Sequence, residues 1–348
     1  MARRILWASL ALAPITIAVD LFGDVGKVTL FVLSAASLIP LAWLIGESTE
    51  HAAEHTGPGI GGFLNASFGN APELIIAIFA VADGLSEVVR GSLSGSIVSN
   101  LLLVLGFTQV LGTEAKLDVK SLRAQIGLVV AATLLFLPTV VMGYSGGSPE
   151  RHSAVVVSIP ISIALLAIYI ASTSRNLHRH RMMAAHEEPA EGAWSLLLAL
   201  GVLALATITT AFISEILVHS IDAFAHAVGV SEFFIATVIV AIVGNAAEHG
   251  GAVVVARGGK MRLATEIAVS SAAQVALLVV PVVMLASLAF DHPLPLTFRW
   301  VEIGTIAGGA GLAWLTIRDG KATKREGLVL LTGYAVCVVA FAISGNRY

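Results

Sequence analysis

Long apolar runs recur along the whole chain and are separated by short polar segments. We distinguish eleven such runs, each of about 18 residues or more, long enough for a helix to cross a hydrocarbon core of roughly 30 Å. The pattern therefore predicts an all-α membrane protein with eleven transmembrane helices. The predicted spans are 5–22, 28–56, 59–82, 86–111, 122–142, 153–175, 194–218, 231–257, 264–289, 297–317 and 325–344.

The first run has two readings. It starts with Arg3 and Arg4 and has a short apolar core, which is also the pattern of a signal peptide. Pro14 directly follows "ALA", and this disfavours cleavage there. We therefore expect a retained, extra N-terminal helix within residues 1–27.

Composition supports the membrane assignment. Of 348 residues, 57% are hydrophobic and 12% are charged, whereas soluble domains carry about 25% charged residues. A single cysteine, Cys337, excludes an internal disulfide and a cysteine-rich metal site. The net charge of −3 gives no indication of nucleic-acid binding. The apolar spans make the lipid bilayer the expected surroundings of the chain. A homo-oligomer is left open.

Lysine and arginine predict the orientation. If the N-terminus is cytoplasmic, 15 of the 20 basic residues fall on cytoplasmic segments and 5 on the other side. This asymmetry follows the positive-inside rule. We expect a bacterial inner (plasma) membrane, with the N-terminus and residues 176–193 in the cytoplasm and the C-terminus outside.

The chain contains an internal repeat. "FGNAPE" (68–73) matches "VGNAAE" (243–248) at an offset of 175 residues, in a chain with only six asparagines. The offset continues without a gap, since Ser96 falls on Ser271. The copies start five spans apart, so they are inverted in the membrane, as in many secondary transporters. The predicted organisation is one extra helix, a first five-helix repeat (28–175), a cytoplasmic linker (176–193) and a second five-helix repeat (194–348).

Each copy places one acid in the middle of an apolar span. A carboxylate at the bilayer centre costs about 2.5–3.5 kcal/mol, so Glu73 and Glu248 are functional candidates. Asn70 and Asn245 precede them by three residues and share their helix face. The neighbouring glycines weaken the helix, and a broken helix frees carbonyl oxygens that bind cations.

Further polar residues fall in spans 4 and 9. Together with the two acids they form a set of hard oxygen ligands, which suits calcium or manganese. The alternative is that small polar residues only hold helices together, which we favour for Ser92 and Ser94. The candidate lining residues are Ser96, Ser99, Asn100, Ser271 and Gln274.

Protons and a divalent cation would compete for these carboxylates, because metal ligation requires them ionised. His249 follows Glu248 and is either a proton acceptor or a packed polar residue, since the first copy has Leu74 there. Glu50 lies near the cytoplasmic end of span 2 and Glu215 near the outer end of span 7, so each half supplies one acid toward a different mouth.

These motifs resemble those of the calcium/proton exchangers within the calcium/cation antiporter superfamily. The resemblance rests on "GNAPELIIAIFA", "GNAAEHGGAVVVA", "SGSIVSNLLLVLG" and "SSAAQVALLVVP" and covers nearly the whole chain. It implies calcium as transported substrate, protons as the counter-substrate, no cofactor and no enzymatic activity. It implies that Glu73 and Glu248 are the metal and proton residues, with gating or proton-path roles for Glu50 and Glu215. The short, mixed acidic stretch around Glu187 departs from the strongly acidic linker of many relatives.

Three other readings remain. A sodium/calcium exchanger shares the architecture, but that branch typically has Gly-Thr-Ser where this chain has Gly-Asn-Ala. "HAAEH" (51–55) fits the signature of inverted zinc peptidases through His51, Glu54 and His55. A passive cation channel could also arise by duplication.

Overall fold

The computed structural model describes residues 2–144, 152–181 and 194–345, which are almost entirely helical. Most of the predicted linker (182–193) and Tyr348 lie outside the described residues, so the predictions about them stay predictions.

Sixteen α-helices, two short strands and three π-helical segments form the described chain. The α-helices are α1 Ala2–Ser9, α2 Leu12–Phe22, α3 Lys27–Phe68, α4 Ala71–Ala82, α5 Ser86–Val98, α6 Leu105–Leu111, α7 Val119–Tyr144, α8 His152–Arg181, α9 Leu196–Val228, α10 Glu232–Phe234, α11 Ala241–Gly244, α12 Ala246–Arg257, α13 Met261–Gln274, α14 Val280–Ser287, α15 Trp300–Ile317 and α16 Lys324–Gly345. The π-helical segments are Ser99–Val104, Ile235–Val240 and Val275–Val279. The strands β1 Ala115–Lys116 and β2 Lys321–Ala322 pair antiparallel.

The multi-pass membrane character is confirmed, but the count of eleven spans is not. Within the described ranges, nine helical segments are long and apolar enough to cross a membrane. A tenth is the pair Glu232–Gly244 and Ala246–Arg257, which is bent by 55°. The predicted span 59–82 is not found as one helix, because it is divided between the end of α3 and the 12-residue α4.

The long helix α3 is not straight. A Cβ atom placed on Gly61 would lie 2.9 Å from the Cβ atom of Ala53. Eight residues of straight helix span about 12 Å, so the helical run must turn back on itself between these two positions. The sequence prediction placed a span boundary at 56–59, within this turn.

The 175-residue offset reappears in the element bounds. Helix α4 begins at Ala71 and α12 at Ala246, α5 begins at Ser86 and α13 at Met261, and each pair differs by 175. Gly84 and Gly259, also 175 apart, both adopt a left-handed conformation, with φ of 73° and 79°. Glycine tolerates this conformation, which ends one helix before the next begins. The repeat seen in the sequence is therefore a repeat of local structure.

The described chain forms two compact units, each of which takes segments from both halves of the sequence. Unit 1 comprises Met1–Phe79, Ala167–Val228 and Val243–Ala247. Its main packing is α3 against α9, where Ile45 contacts Leu203 and Ala206 in a buried cluster. The rings of Phe31 and Phe224 stack with centroids 4.2 Å apart and join the same two helices.

Unit 2 comprises Ala80–Leu166, Gly229–Ile242 and Glu248–Tyr348. Its centre is α5, which is buried from Val88 to Val98. Gly95 lies so close to the π-helical segment Ile235–Val240 that an added Cβ atom would be 2.0 Å from the Thr237 carbonyl oxygen. Gly327 of α16 also lies close to α6, with 2.8 Å from its Cβ position to the Gly106 carbonyl oxygen. Such backbone-to-backbone contact is typical of membrane helix packing through small residues.

Candidate functional site

The first repeat motif sits where the helix breaks. Helix α3 ends at Phe68 and α4 begins at Ala71, with a turn at Gly69 and Asn70 between them. Asn70 is fully buried and the side chain of Glu73 is 6% exposed, in the first turn of α4. A helix N-terminus carries partial positive charge, which stabilises a carboxylate at that position.

The second motif repeats this arrangement. Helix α11 ends at Gly244 and α12 begins at Ala246, so that Asn245 occupies the bend. Asn245 is buried, and Glu248 lies in the first turn of α12. The Ser271 hydroxyl of α13 donates a hydrogen bond to Oε2 of Glu248.

The first carboxylate contacts the second motif within unit 1. A Cβ atom on Gly244 would lie 3.4 Å from Cγ and 3.7 Å from Oε1 of Glu73. Glu73 therefore packs against the residue that directly precedes Asn245. Two sequence motifs that are 175 residues apart are thus neighbours in the fold.

The predicted lining residues of span 4 are buried. Ser96, Ser99 and Asn100 are each 1% exposed or less. Ser99 begins a π-helical segment, and its hydroxyl donates to the Ser96 carbonyl oxygen at 3.1 Å. The sequence analysis treated this stretch as regular α-helix, so the π-helical turn is new. Such turns are often found at functional sites.

The corresponding residues of span 9 are divided. Ser271 is buried and contacts Glu248, whereas Gln274 is half-buried at the end of α13. The next residue, Val275, begins the equivalent π-helical segment. The serine of this pair therefore has a defined contact with a central acid.

The remaining predicted residues lie in different settings. Glu50 is exposed on α3. Glu215 is half-buried on α9 and lines a cavity of about 360 Å³ in unit 1. His249 follows Glu248 on α12, and its buried Nε2 atom makes no hydrogen bond within the described part of the chain.

The possible zinc signature has another use in the structure. Nε2 of His55 lies 2.7 Å from the carbonyl oxygen of Trp194, and the His51 ring stacks on the Trp194 ring at 4.7 Å. His51 also lies 3.9 Å from Glu47 and 3.6 Å from Glu54. These contacts hold the start of the second half against α3.

The described residues include no group of three or more His, Cys, Asp or Glu side chains arranged to hold a metal ion. The ligand set expected from the sequence is different, since it combines carboxylate oxygens with amide, hydroxyl and carbonyl oxygens, which calcium accepts.

Unit 2 contains a buried charged cluster that was not predicted from the sequence. Glu302 of α15 is fully buried and accepts hydrogen bonds from the Ser94 hydroxyl and the Arg299 backbone N–H, both at 2.6 Å. The Arg299 guanidinium donates to Glu87 at 2.7 Å and lies over the Phe233 ring at 4.2 Å. Arg90 is also buried, in α5. The signal was available, since Glu302 is an acid within an apolar span.

The multi-pass membrane fold contains two broken helices, and each has an asparagine and a glutamate at its break. This architecture is typical of secondary transporters. The family model described as sodium/calcium exchanger protein matches residues 27–177 and 198–343. The chain belongs to this family. The division of the chain into two five-helix repeats stays a prediction.

Individual relatives are similar over nearly their whole length. The Ca²⁺/H⁺ antiporter ChaA of Bacillus subtilis is 38% identical over 323 residues, covering 90% of this chain and 91% of the relative. A Ca²⁺/H⁺ antiporter of Aphanothece halophytica is 34% identical, with 90% of each chain covered. The solved structure of the Ca²⁺/H⁺ antiporter protein YfkE superimposes with a TM-score of 0.82 at 35% identity, covering 98% of this chain and 99% of that one.

Proposed function

We propose that this protein is a secondary active antiporter that exchanges calcium for protons across a membrane by alternating access. The relatives named above are calcium/proton antiporters, and the family model covers both halves of the chain. Glu73 and Glu248 are the proposed cation and proton residues. Asn70 and Asn245 are the proposed amide ligands beside them.

The observation that carries this proposal is the contact of Glu73 with Gly244. It places a buried carboxylate of the first motif against the helix break of the second. Burying an acid in an apolar environment costs free energy, so such an acid is expected to have a function. Helix breaks also expose carbonyl oxygens to a cation.

Competition for the carboxylates provides the coupling. Calcium needs both acids ionised, and a protonated acid cannot ligate it, so cation binding releases protons. The Ser271 hydroxyl donates a hydrogen bond to Glu248, and such bonds to carboxylates are stronger than those between neutral groups. Ser96, Ser99, Asn100 and Ser271 line the proposed cation path. Glu50 has a gating or proton-path role at one mouth of this path, and Glu215 has such a role at the other.

The proposed orientation follows the basic residues. The N-terminus is cytoplasmic and the C-terminus is outside, in a bacterial plasma membrane. A reporter that is active only in the cytoplasm, fused after Tyr348, should be silent. An active reporter would show an even number of crossings.

The proposal is tested by calcium uptake into proteoliposomes that hold a pH gradient and no sodium. Uptake driven by the proton gradient is expected, and a requirement for sodium would favour the sodium/calcium exchanger. Calcium binding in detergent should also release protons and weaken from about pH 8 to about pH 5.5 by at least about tenfold. Affinity that does not change over this range would contradict a shared site.

A further inference from the structure

Unit 1 contains a cavity whose lining includes ionisable groups from three helices. Its volume is about 360 Å³, and its walls come from α2, α3 and α9. Asp20 belongs to the N-terminal helix α2, Lys27 begins α3, and Glu215 and His219 lie on α9. The other lining residues are Ile17, Leu21, Leu30, Phe212, Ile216 and Ser220.

The N-terminal helix is a fixed wall of this cavity. The Thr16 hydroxyl of α2 and the Ser37 hydroxyl of α3 are hydrogen-bonded at 2.9 Å, and both residues are fully buried. The stacked rings of Phe31 and Phe224 fix α3 on α9. All three walls are thus held by specific contacts within one compact unit.

The ionisable residues that line the cavity differ in their exposure. Asp20, Lys27 and His219 are exposed, whereas Glu215 is half-buried. Glu215 and His219 are four residues apart on one helix, so both side chains point to the same side. Solvent at the rim therefore has a polar route toward Glu215.

We propose that this cavity is the outer vestibule of the transport path, and that Asp20 of the N-terminal helix is a cation- and proton-collecting residue of that vestibule. This inference rests on the proposed function, and it extends the path beyond Glu215 to a helix outside both repeats. The ligands are hydrated divalent cations and protons.

The charge pattern supports a collecting role. The lining contains two carboxylates, one ammonium and one imidazole, so its carboxylates outnumber its ammonium group. A cleft of one sign between low-dielectric walls raises the local concentration of the opposite ion and speeds its arrival.

Cysteine accessibility tests the vestibule without relying on transport. In a background with Cys337→Ser, Ile216→Cys should react with membrane-impermeant methanethiosulfonates added from outside. The cationic reagent should react faster than the anionic one. Adding Asp20→Asn should lower the ratio of the two rates by roughly twofold to fivefold, the effect of one charge acting through water.

Asp24→Asn is the matched control, because Asp24 is an exposed aspartate in the connection that directly follows α2 but does not line the cavity. It should leave the ratio unchanged. The proposal would be overturned if a cysteine at position 216 did not react from outside. It would also be overturned if Asp20→Asn left the ratio of the two reaction rates unchanged.

Transport provides the second measurement. Asp20→Asn should slow proton-driven calcium uptake by about threefold to tenfold at low calcium, while equilibrium calcium affinity stays within about twofold of the unchanged protein. Asp24→Asn should transport normally. Uptake by Asp20→Asn at the normal rate would remove Asp20 from the path. If the unchanged protein shows no proton-driven uptake, the proposed function fails, and the accessibility result still decides whether the vestibule exists.

Discussion

The two helix breaks have the same backbone plan but different surroundings. Each follows a Gly-Asn pair, and each places a glutamate in the first turn of the next helix. In the first copy, however, Glu73 is 6% exposed and is followed by Leu74, whereas in the second Glu248 is half-buried, accepts from Ser271 and is followed by His249. The shared features are those that a cation site needs. Because the two glutamates have different neighbours, we expect the two copies to contribute unequally to proton transfer.

The sharpest test of this comparison neutralises the two acids separately. Glu73→Gln and Glu248→Gln should each reduce calcium/proton exchange in proteoliposomes by at least about 100-fold. One remaining carboxylate leaves a divalent ion half-neutralised at low dielectric, where charge balance dominates. Both variants should still insert and purify.

The controls for this test are Glu47→Gln and Glu54→Gln, whose side chains are partly exposed beside His51. Both should be mild. Glu50→Gln and Glu215→Gln should fall between, slowing transport more than they weaken binding. Normal exchange by Glu73→Gln with an inactive Glu47→Gln would move the site to "ESTEHAAEH".

The second test concerns a position where the copies differ in size. Gly95 corresponds to Ser270 at the same offset. Gly95→Ala should destabilise unit 2 by about 3 kcal/mol or more, because its Cβ atom would lie 2.0 Å from a backbone carbonyl oxygen that cannot move freely. Ser270→Ala is the matched control and should change little. Equal melting temperatures for the two variants in detergent would contradict the packing described here.

The third test addresses the contact of Ser271 with Glu248. Ser271→Ala removes a hydrogen bond to a carboxylate, and such bonds contribute about 1.5–3 kcal/mol. Since Glu248 is half-buried, we expect roughly a tenfold loss of calcium affinity by isothermal titration. Ser271→Thr should restore most of it. Ser96→Ala tests the equivalent position, and equal losses would show that the two copies share this interaction.

The smallest effect is expected where one copy is converted to the other. His249→Leu gives the second motif the residue found after Glu73. Exchange should persist within about threefold, with a changed dependence of rate on pH if His249 accepts protons. An unchanged pH profile would leave His249 as a packed polar residue. Complete loss of exchange would show that the second copy depends on it.

Much of the fold could be read from the sequence because lipid imposes a simple rule. Backbone groups in a bilayer must be satisfied within helices, so apolar runs predict spans with good accuracy. The breaks were also predictable, since Gly-Asn pairs interrupt otherwise apolar helices at Asn70 and Asn245. The count of eleven spans was not confirmed. The predicted span 59–82 is divided between two helices, and hydropathy does not detect such a division.

The site could be predicted only as far as its residue types. Asparagines and acids in apolar spans identify candidates, and the repeat links them. The sequence does not show that Glu73 packs on Gly244, or that Ser271 donates to Glu248, because both contacts depend on how helices pack. The cluster around Glu302 was missed although its acid lies in an apolar span, since no counterpart in the other repeat drew attention to it.

The π-helical segments bear on the history of the chain. Ser99–Val104 and Val275–Val279 occupy the same place in the two copies, and both continue directly into the next α-helix. A π-helical turn accommodates one additional residue within a helix. Independent insertions at the same point in two copies would be a coincidence. The simpler account is that the insertion was already present in an ancestral half-length protein, and that gene duplication followed.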